Sequence, residues 1–144
     1  MRTISLVPVG TVGAFAGLAA LHVAWGRGSS FPFAEPAELA DAVIGRPATL
    51  VPPPAACFAV AGLLGAAALV VGGAGLLPQR AQRRASAVLA LVLAVRGALG
   101  LAGRTDLASP GSSSPRFRRN DRRLFAPLCL ALCAGTILSA KRSR

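Results

Sequence analysis

Few residues in this chain could do chemistry, and two of them occur once each. His22 is the only histidine and Trp25 the only tryptophan, and they lie about one helical turn apart. An imidazole can relay protons or bind a ligand near neutral pH, and it can also simply form a hydrogen bond at a membrane surface. A tryptophan at the end of an apolar block is typical of the aromatic belt of a membrane protein.

Arg96 is a single charged residue within an otherwise uncharged apolar block. A charge near the centre of a bilayer costs about 2.5–3.5 kcal/mol on insertion scales. Arg96 should therefore either face other helices and bind a carboxylate or extend to the nearer membrane surface. The acids within reach are Asp121 and, in the first loop, Glu35, Glu38 and Asp41. The sequence leaves both alternatives open.

Asp121 precedes Arg122 and Arg123 where a later apolar block begins. A carboxylate at a helix N-terminus accepts hydrogen bonds from free backbone N–H groups and is favoured by the helix dipole. The sequence therefore predicts that Asn120 or Asp121 caps a helix at this point. It also predicts that Asp121 is the counter-charge of the neighbouring arginines, whose side chains extend to the lipid headgroups.

The three cysteines do not form a redox or metal-binding motif. Cys57, Cys129 and Cys133 contain no C-x-x-C spacing, and a single histidine does not complete a metal site with them. We expect inert packing thiols, no metal and no other cofactor, and we assign no catalytic residue.

The composition shows what kind of protein must position these residues. Hydrophobic residues make up 53% of the 144 residues and charged residues 15%, and the mean hydropathy is +0.59. A soluble domain carries about 25% charged residues. These values exclude a disordered chain, a disulfide-rich mini-protein and an ordinary globular enzyme, and they indicate a membrane protein.

Four apolar blocks, at residues 4–25, 55–77, 85–103 and 121–140, are each close to the length of about 20 residues that a helix needs to cross a bilayer. The blocks lack the alternating polarity of barrel strands, and a helix satisfies its own backbone in lipid. We therefore predict an all-α fold, with residues 1–144 forming one integral membrane four-helix bundle. A long loop with a short surface helix over residues 34–44 follows the first span, and residues 104–120 form a flexible basic loop.

Four spans bring one end of each predicted helix to the same side of the membrane. The end of the first span, the start of the second, the end of the third and the start of the fourth share that side. The polar residues gather there as a candidate cluster, whose members are His22, Trp25, Arg96, Asp121, Arg122 and Arg123.

Small residues could let the predicted helices approach closely, because lipid provides no hydrophobic drive for their association. Gly13 and Gly17 form a G-x-x-x-G pattern in the first block. Other glycines that could do the same include Gly62, Gly65, Gly97, Gly100 and Gly103. We expect them to pack helices within the chain first and to form contacts of a homo-oligomer second.

The net charge of +11 raises the question of a nucleic-acid partner. The basic residues flank the apolar blocks, where residues that set topology and reach the headgroups lie, so we expect the lipid bilayer and no nucleic acid as partner. The run at 116–123 suits anionic lipid headgroups. Lys and Arg are nearly balanced between the two sides, and the acidic first loop favours cytoplasmic termini.

Three motifs resemble the DUF3995 family of small bacterial membrane proteins. Residues 21–26 (LHVAWG) resemble the end of that family's first span, Arg96-Gly97 resembles its RG pair in the third, and residues 117–130 (FRRNDRRLFAPLCL) resemble its entry into the fourth. The motifs occur in the same order along the whole chain, with Phe125 where the family often has Tyr. The resemblance implies four spans in a bacterial inner membrane, and it implies no reaction because the family's function is unknown.

The sequence thus predicts a multi-pass membrane protein that acts as a small structural or binding component without catalysis. One alternative is a binder or carrier of a lipid-like or small polar ligand in a pocket near His22, Trp25, Arg96 and Asp121. A second alternative is an intramembrane enzyme that uses His22 as acid or base. Such an enzyme would need a group that orients His22, for which Asp121 or an acid of the first loop is the candidate.

Overall fold

A computed structural model describes residues 6–46, 53–73 and 75–142, and all regular structure in these ranges is helical. The elements in chain order are α1 (Leu6–Gly26), α2 (Pro36–Leu39) with a following π turn (Ala40–Ile44), α3 (Pro54–Gly72), α4 (Gln79–Leu101), α5 (Thr105–Ala108), α6 (Pro115–Asn120), a second π turn (Asp121–Phe125) and α7 (Ala126–Arg142). Together α6, the second π turn and α7 form one continuous helix.

Four helices are long and apolar enough to cross a membrane, namely α1, α3, α4 and the continuous helix Pro115–Lys141. This confirms the predicted all-α four-helix membrane bundle. Large apolar side chains such as Leu63, Val88 and Leu91 lie exposed on the outer surface of the bundle. An outward apolar face is what a bilayer-spanning helix requires, because lipid is the solvent there.

The helix ends differ from the predicted spans for local reasons. α3 ends at Gly72 because Gly73 adopts a left-handed conformation with φ of 63°, which terminates a helix and which glycine adopts without strain. α4 begins at Gln79, because arginines such as Arg80 and Arg84 are good helix formers and extend it beyond the apolar block. Residues 4, 5 and 74 of the predicted spans lie outside the described residues.

The fourth transmembrane helix begins earlier than the sequence predicted. Ser114 Oγ accepts hydrogen bonds from the backbone N–H groups of Arg116 and Phe117, and Pro115 occupies the first helical turn. Asp121 lies inside the continuous helix, in its π turn. The prediction that Asn120 or Asp121 caps this helix was therefore wrong. Part of the predicted loop at 104–120 is helical, as α5 and α6.

The four long helices form two hairpins, α1 with α3 and α4 with α7, and the hairpins meet mainly where α1 packs on α7. The core at this contact contains Phe15, which is 1% exposed, together with Ala67, Val71 and Leu132. This apolar cluster joins the two hairpins.

Only some of the glycines predicted to pack helices lie close to a neighbouring helix. A Cβ added at Gly97 or Gly100 would lie 2.7 Å from side-chain atoms of α7, so these two glycines allow close packing of α4 on α7. A Cβ added at Gly13, Gly17, Gly62 or Gly65 meets no atom within 4 Å among the described residues. For these four, and for Gly103 at the end of α4, the prediction of close packing within the chain was wrong. Contacts in a homo-oligomer stay a prediction.

The first and third loops pack on each other at one end of the bundle and form a cap, defined as residues 27–46 and 102–120. The carbonyl oxygen of Gly45 accepts hydrogen bonds from the N–H groups of Ser113 and Ser114 at 3.0 and 3.2 Å. Asn120 Nδ2 donates to the carbonyl oxygen of Ala42 at 3.0 Å. The helix predicted over 34–44 is confirmed, and it provides the surface on which the third loop docks.

Candidate functional site

The predicted polar cluster separates into two sites, of which the first is an ion pair between α4 and the second π turn. Arg96 Nη2 donates to Asp121 Oδ1 at 2.5 Å. The Asp121 side chain is 0% exposed and that of Arg96 is 28% exposed. Of the two alternatives for Arg96, the structure shows binding to a carboxylate, that of Asp121.

Gly100 makes room for this ion pair. A Cβ at position 100 would lie 3.0 Å from Arg96 Nη1, 3.0 Å from Asp121 Oδ2 and 2.7 Å from the Cβ of Ala126. The same two polar atoms, Nη1 and Oδ2, are buried without a hydrogen-bond partner among the described residues. The pair is therefore held by one charge-assisted hydrogen bond in a tight space between α4 and the fourth helix.

The π turn that carries Asp121 lies within a run of arginines. A π turn widens a helix by one residue and shifts which side chains face a neighbouring helix, and such turns are frequent at functional sites. Here Asp121 faces α4, whereas Arg122 and Arg123 are exposed. The prediction that Asp121 is the counter-charge of these neighbours was wrong, because Arg96 on α4 binds the carboxylate.

The second site lies at the end of α1, where His22 and Trp25 pack together. Their rings meet edge to face with centroids 4.8 Å apart. His22 Nδ1 lies 2.8 Å from the carbonyl oxygen of Leu18. A carbonyl can only accept, so Nδ1 carries the proton and a neutral His22 presents Nε2 as a hydrogen-bond acceptor. Trp25 Nε1 donates to the carbonyl oxygen of Phe31 at 2.7 Å and ties the first loop to α1.

His22 and Trp25 line a cavity of about 430 Å³ between the end of α1, the start of α3 and α2 with its π turn. Its wall is mostly apolar, with side chains such as Leu39, Val43 and Val60. Among the described residues of the wall, Cys57 and Ser109 also have polar side chains. We name this space the cap cavity.

Arg96 and Asp121 do not line the cap cavity. The prediction that they converge with His22 and Trp25 on one pocket was therefore wrong. The physical reason is that the ion pair belongs to the α4–α7 hairpin, where Asp121 is fully buried against α4, whereas the cavity belongs to the α1–α3 hairpin and the cap.

Sequence reasoning missed the wall that α2 contributes. Leu39 and Val43 are four residues apart and so share one face of a helical segment. This spacing was a signal that the first loop contains an amphipathic element with an apolar face to bury. Ser109, in the third loop, carried no comparable signal, because its position depends on how the two loops dock.

The cysteines lie apart in the structure. Cys133 is buried, and its thiol donates to the carbonyl oxygen of Ala90 at 3.2 Å, which is the packing role expected. Cys57 and Cys129 are half-buried free thiols. Within the described ranges, no three His, Cys, Asp or Glu side chains lie together as a metal site requires.

Comparison with known proteins identifies a family. The DUF3995 profile, described as a protein of unknown function, matches residues 15–136. No curated protein and no solved structure matches the chain. The matched range includes His22, Trp25, Arg96, Gly100 and Asp121. Because the match covers most of its length, this chain belongs to the DUF3995 family.

Proposed function

We propose that this protein is a non-catalytic membrane component that binds a small, uncharged, lipid-like molecule in the cap cavity. The observation that carries the proposal is the cavity of about 430 Å³ with an apolar wall and His22 on its surface. Ligand sites for small molecules have volumes of about 300–1,000 Å³, and their walls are mainly apolar with a few polar groups that orient the ligand.

The wall of the cavity indicates an uncharged ligand. No Asp, Glu, Lys or Arg is among the described residues that line it. Because a charge taken out of water without a partner is strongly unfavourable, a carboxylate or an amine would bind poorly here.

The polar groups of the wall favour a ligand with a hydroxyl head. Neutral His22 presents Nε2 as an acceptor, since Nδ1 already donates to Leu18. The hydroxyl of Ser109 donates to Ser112 Oγ at 2.8 Å, because the single hydroxyl proton of Ser112 goes to the carbonyl oxygen of Ile44, so Ser109 Oγ can only accept from a ligand. A hydroxyl on an alkyl chain would satisfy both the acceptor and the apolar wall.

The position of the cavity supports a ligand that comes from the bilayer. His22 and Trp25 end the first transmembrane helix, so they lie at the depth where aromatic residues meet the headgroups. A molecule with one polar end and an apolar tail concentrates at this depth. The cavity is therefore open to a ligand class that the membrane itself supplies.

Binding is favoured over catalysis because His22 has no carboxylate to activate it at the cavity. Asp121 is bound to Arg96 and lies outside the wall. The acids of the first loop, Glu35, Glu38 and Asp41, are not wall residues either. An enzyme that used His22 as acid or base would need such an orienting group.

The single tryptophan makes the proposal testable by fluorescence. In detergent, a medium-chain alcohol that carries bromine near its hydroxyl should quench Trp25 and reach saturation, because bromine bound in the cavity would lie against the indole. The matching bromo-fatty acid, ionised at neutral pH, should quench only at higher concentration.

Two substitutions on α3 provide the control. Ala56→Phe fills the cavity wall and should abolish the saturable quenching. Ala66→Phe makes the same change on an exposed surface of the same helix and should leave the quenching intact. Equal, non-saturable quenching in wild type and both variants would mean that the alcohol only enters the micelle, and the proposal would be refuted.

We further propose that the protein lies in a bacterial inner membrane with both termini in the cytoplasm. The acidic first loop, with Glu35, Glu38 and Asp41, and the basic turn before α4 support this orientation. Reporter fusions at Arg144 and in the turn before α4 should then report the cytoplasm, and a fusion in the cap should report the opposite side. The reverse pattern would contradict the orientation without affecting the cavity.

A further inference from the structure

Four arginines at the start of the fourth transmembrane helix form an exposed surface, which we name the arginine strip. Its members, all exposed, are Arg118, Arg119, Arg122 and Arg123. The pairs 118 and 122, and 119 and 123, are about one turn apart, so the four guanidinium groups follow one side of the helix. Strong positive charge in one place invites the question of what neutralises it.

Within the described ranges, no carboxylate lies within ion-pair distance of any member of the strip. Asp121 lies in the middle of the run and would be the natural counter-charge. Its carboxylate is instead fully buried against Arg96, on the side of the helix that faces α4. Asp41 in the first loop lies 4.0 Å from Arg116, which is not part of the strip. The positive charge of the strip can therefore be neutralised by an anionic partner.

The position of the strip matches the headgroup layer. Residues 118–123 cover about 7–8 Å along a helix axis at about 1.5 Å per residue. A headgroup layer is about 5–7.5 Å thick, which is half the difference between a bilayer of about 40–45 Å and its hydrocarbon core of about 30 Å. The strip directly precedes the apolar part of the fourth helix, which begins at Leu124, so it lies at the level of the headgroups.

Exposed apolar residues follow the strip along the helix. Leu124 and Leu128 follow the arginines and are both exposed on the surface of the bundle. An anionic phospholipid has its phosphate in the headgroup layer and its acyl chains in the hydrocarbon core. Arginines at the first level and exposed leucines at the second therefore complement such a lipid. A nucleic acid would bind the arginines through its phosphates but would make no favourable contact with the leucines.

We propose that the arginine strip is a binding site for anionic phospholipid headgroups in the leaflet at the cap end of the protein. Arginine binds phosphate oxygens through two N–H groups at once, which makes it better suited than lysine to this role. The site is independent of the cap cavity, since none of its four residues lines that cavity.

The test measures lipid retained by the purified protein. Wild type is equilibrated in detergent with equal amounts of phosphatidylglycerol and phosphatidylcholine, and the lipids that remain bound are counted by native mass spectrometry. We expect phosphatidylglycerol to be strongly enriched. A basic residue near an anionic surface contributes about fivefold in affinity, so Arg122→Gln with Arg123→Gln should weaken the enrichment by up to about 30-fold at low ionic strength.

The matched control removes the same charge at the other end of the bundle. Arg80→Gln with Arg84→Gln changes two exposed arginines of α4 and should leave the enrichment at the cap end unchanged. Arg122→Lys with Arg123→Lys keeps the charge and should retain most of the binding. All variants should show the thermal unfolding of wild type, because the substituted side chains are exposed.

Three results would overturn the proposal. One is equal retention of both lipids by the wild-type protein. Another is equal loss of phosphatidylglycerol in the control variant, which would place the binding elsewhere. The third is displacement of the lipid by millimolar inorganic phosphate or by a short RNA, because the strip would then recognise phosphate or nucleic acid without the acyl chains.

Discussion

The two hairpins of this protein solve the same packing problem in different ways. α1 and α3 carry no charged residue, and their glycines Gly13, Gly17 and Gly62 face away from the described chain. α4 and α7 approach closely at Gly97 and Gly100 and are joined by a buried ion pair. Lipid provides no hydrophobic drive between helices, so close contact and polar bonds must hold them. Both hairpins have close contact, since a Cβ at Gly26 of α1 would lie 2.9 Å from the ring of Phe58 on α3, and the second hairpin adds the buried ion pair.

This difference explains why the cavity lies where it does. The α4–α7 hairpin is closed at the cap end, because Arg96 and Asp121 fill the space that Gly100 leaves between its helices. The α1–α3 hairpin has no such bond at that end, and α2 covers the space that remains. The charged residues of the ion pair lie in the α4–α7 hairpin, and the α1–α3 hairpin has none. This difference accounts for the tight contact in the first case and for the apolar cavity in the second.

The largest expected effect comes from breaking the ion pair. Arg96→Leu leaves the carboxylate of Asp121 buried and unpaired, which should destabilise the protein by about 3–5 kcal/mol in thermal unfolding experiments in detergent. Asp121→Asn should be similarly harmful, because it leaves the arginine without its counter-charge. If Asp121 only capped a helix, the change to Asn would be mild, since Asn also caps well.

Two variants sharpen this measurement. Arg123→Leu removes an exposed arginine of the same helix and should change the unfolding temperature little. Replacing both Arg96 and Asp121 by Leu removes the buried charges together and should restore most of the stability. An Arg96→Leu protein as stable as wild type would show that the hairpin does not depend on the pair.

The next largest effect separates the inward and outward glycines. Gly100→Ala adds a Cβ 2.7 Å from that of Ala126 and 3.0 Å from the polar atoms of the ion pair, so the helices must move apart. We expect a loss of about 1–3 kcal/mol in the same unfolding experiment. Gly13→Ala, with no described atom within 4 Å, should be neutral or stabilising by up to about 1 kcal/mol. Equal effects at the two positions would remove the distinction between the hairpins.

The sequence was sufficient to predict the four spans, the fold and the side on which the polar residues gather, because length and charge decide these features. It also limited the partner of Arg96 to a few acids, of which Asp121 is the one bound. It did not show which way the glycines face. In a soluble protein, periodicity separates the core from water, but here the outside is as apolar as the inside, so the faces of α1 and α3 look alike in sequence.

The cap was less predictable than the spans for a different reason. The contact of Gly45 with Phe117, where a Cβ would come within 2.7 Å of the ring, joins residues 72 positions apart, and no local pattern indicates that pairing. The start of α6 did have a local signal in Ser114-Pro115, a capping residue followed by the residue favoured at the first helical position. That signal was missed because the uncharged block begins only at Leu124.

The smallest of these effects concerns Ser114, which has the capping role that the sequence assigned to Asn120 or Asp121. Ser114 Oγ accepts from the backbone N–H of Arg116 at 3.2 Å and of Phe117 at 3.4 Å, and its hydroxyl donates to Asp41 in the first loop. Ser114→Ala loses these bonds and should cost about 0.5–2 kcal/mol, less than the ion-pair variants.

Ser114→Asp distinguishes the two roles of that hydroxyl, because aspartate still caps a helix but cannot donate to Asp41 and brings a second carboxylate beside it. If helix capping accounts for most of the stability that Ser114 contributes, Ser114→Asp should have an unfolding temperature close to that of wild type. If the bond between the loops dominates, it should be as unstable as Ser114→Ala, and hydrogen exchange should increase in residues 36–46 while α4 stays protected. In both cases the loss of stability is confined to the cap, residues 27–46 and 102–120. A loss of protection in α4 would instead mean that the cap and the α4–α7 hairpin unfold as one unit, contrary to the separation of the cavity from the ion pair.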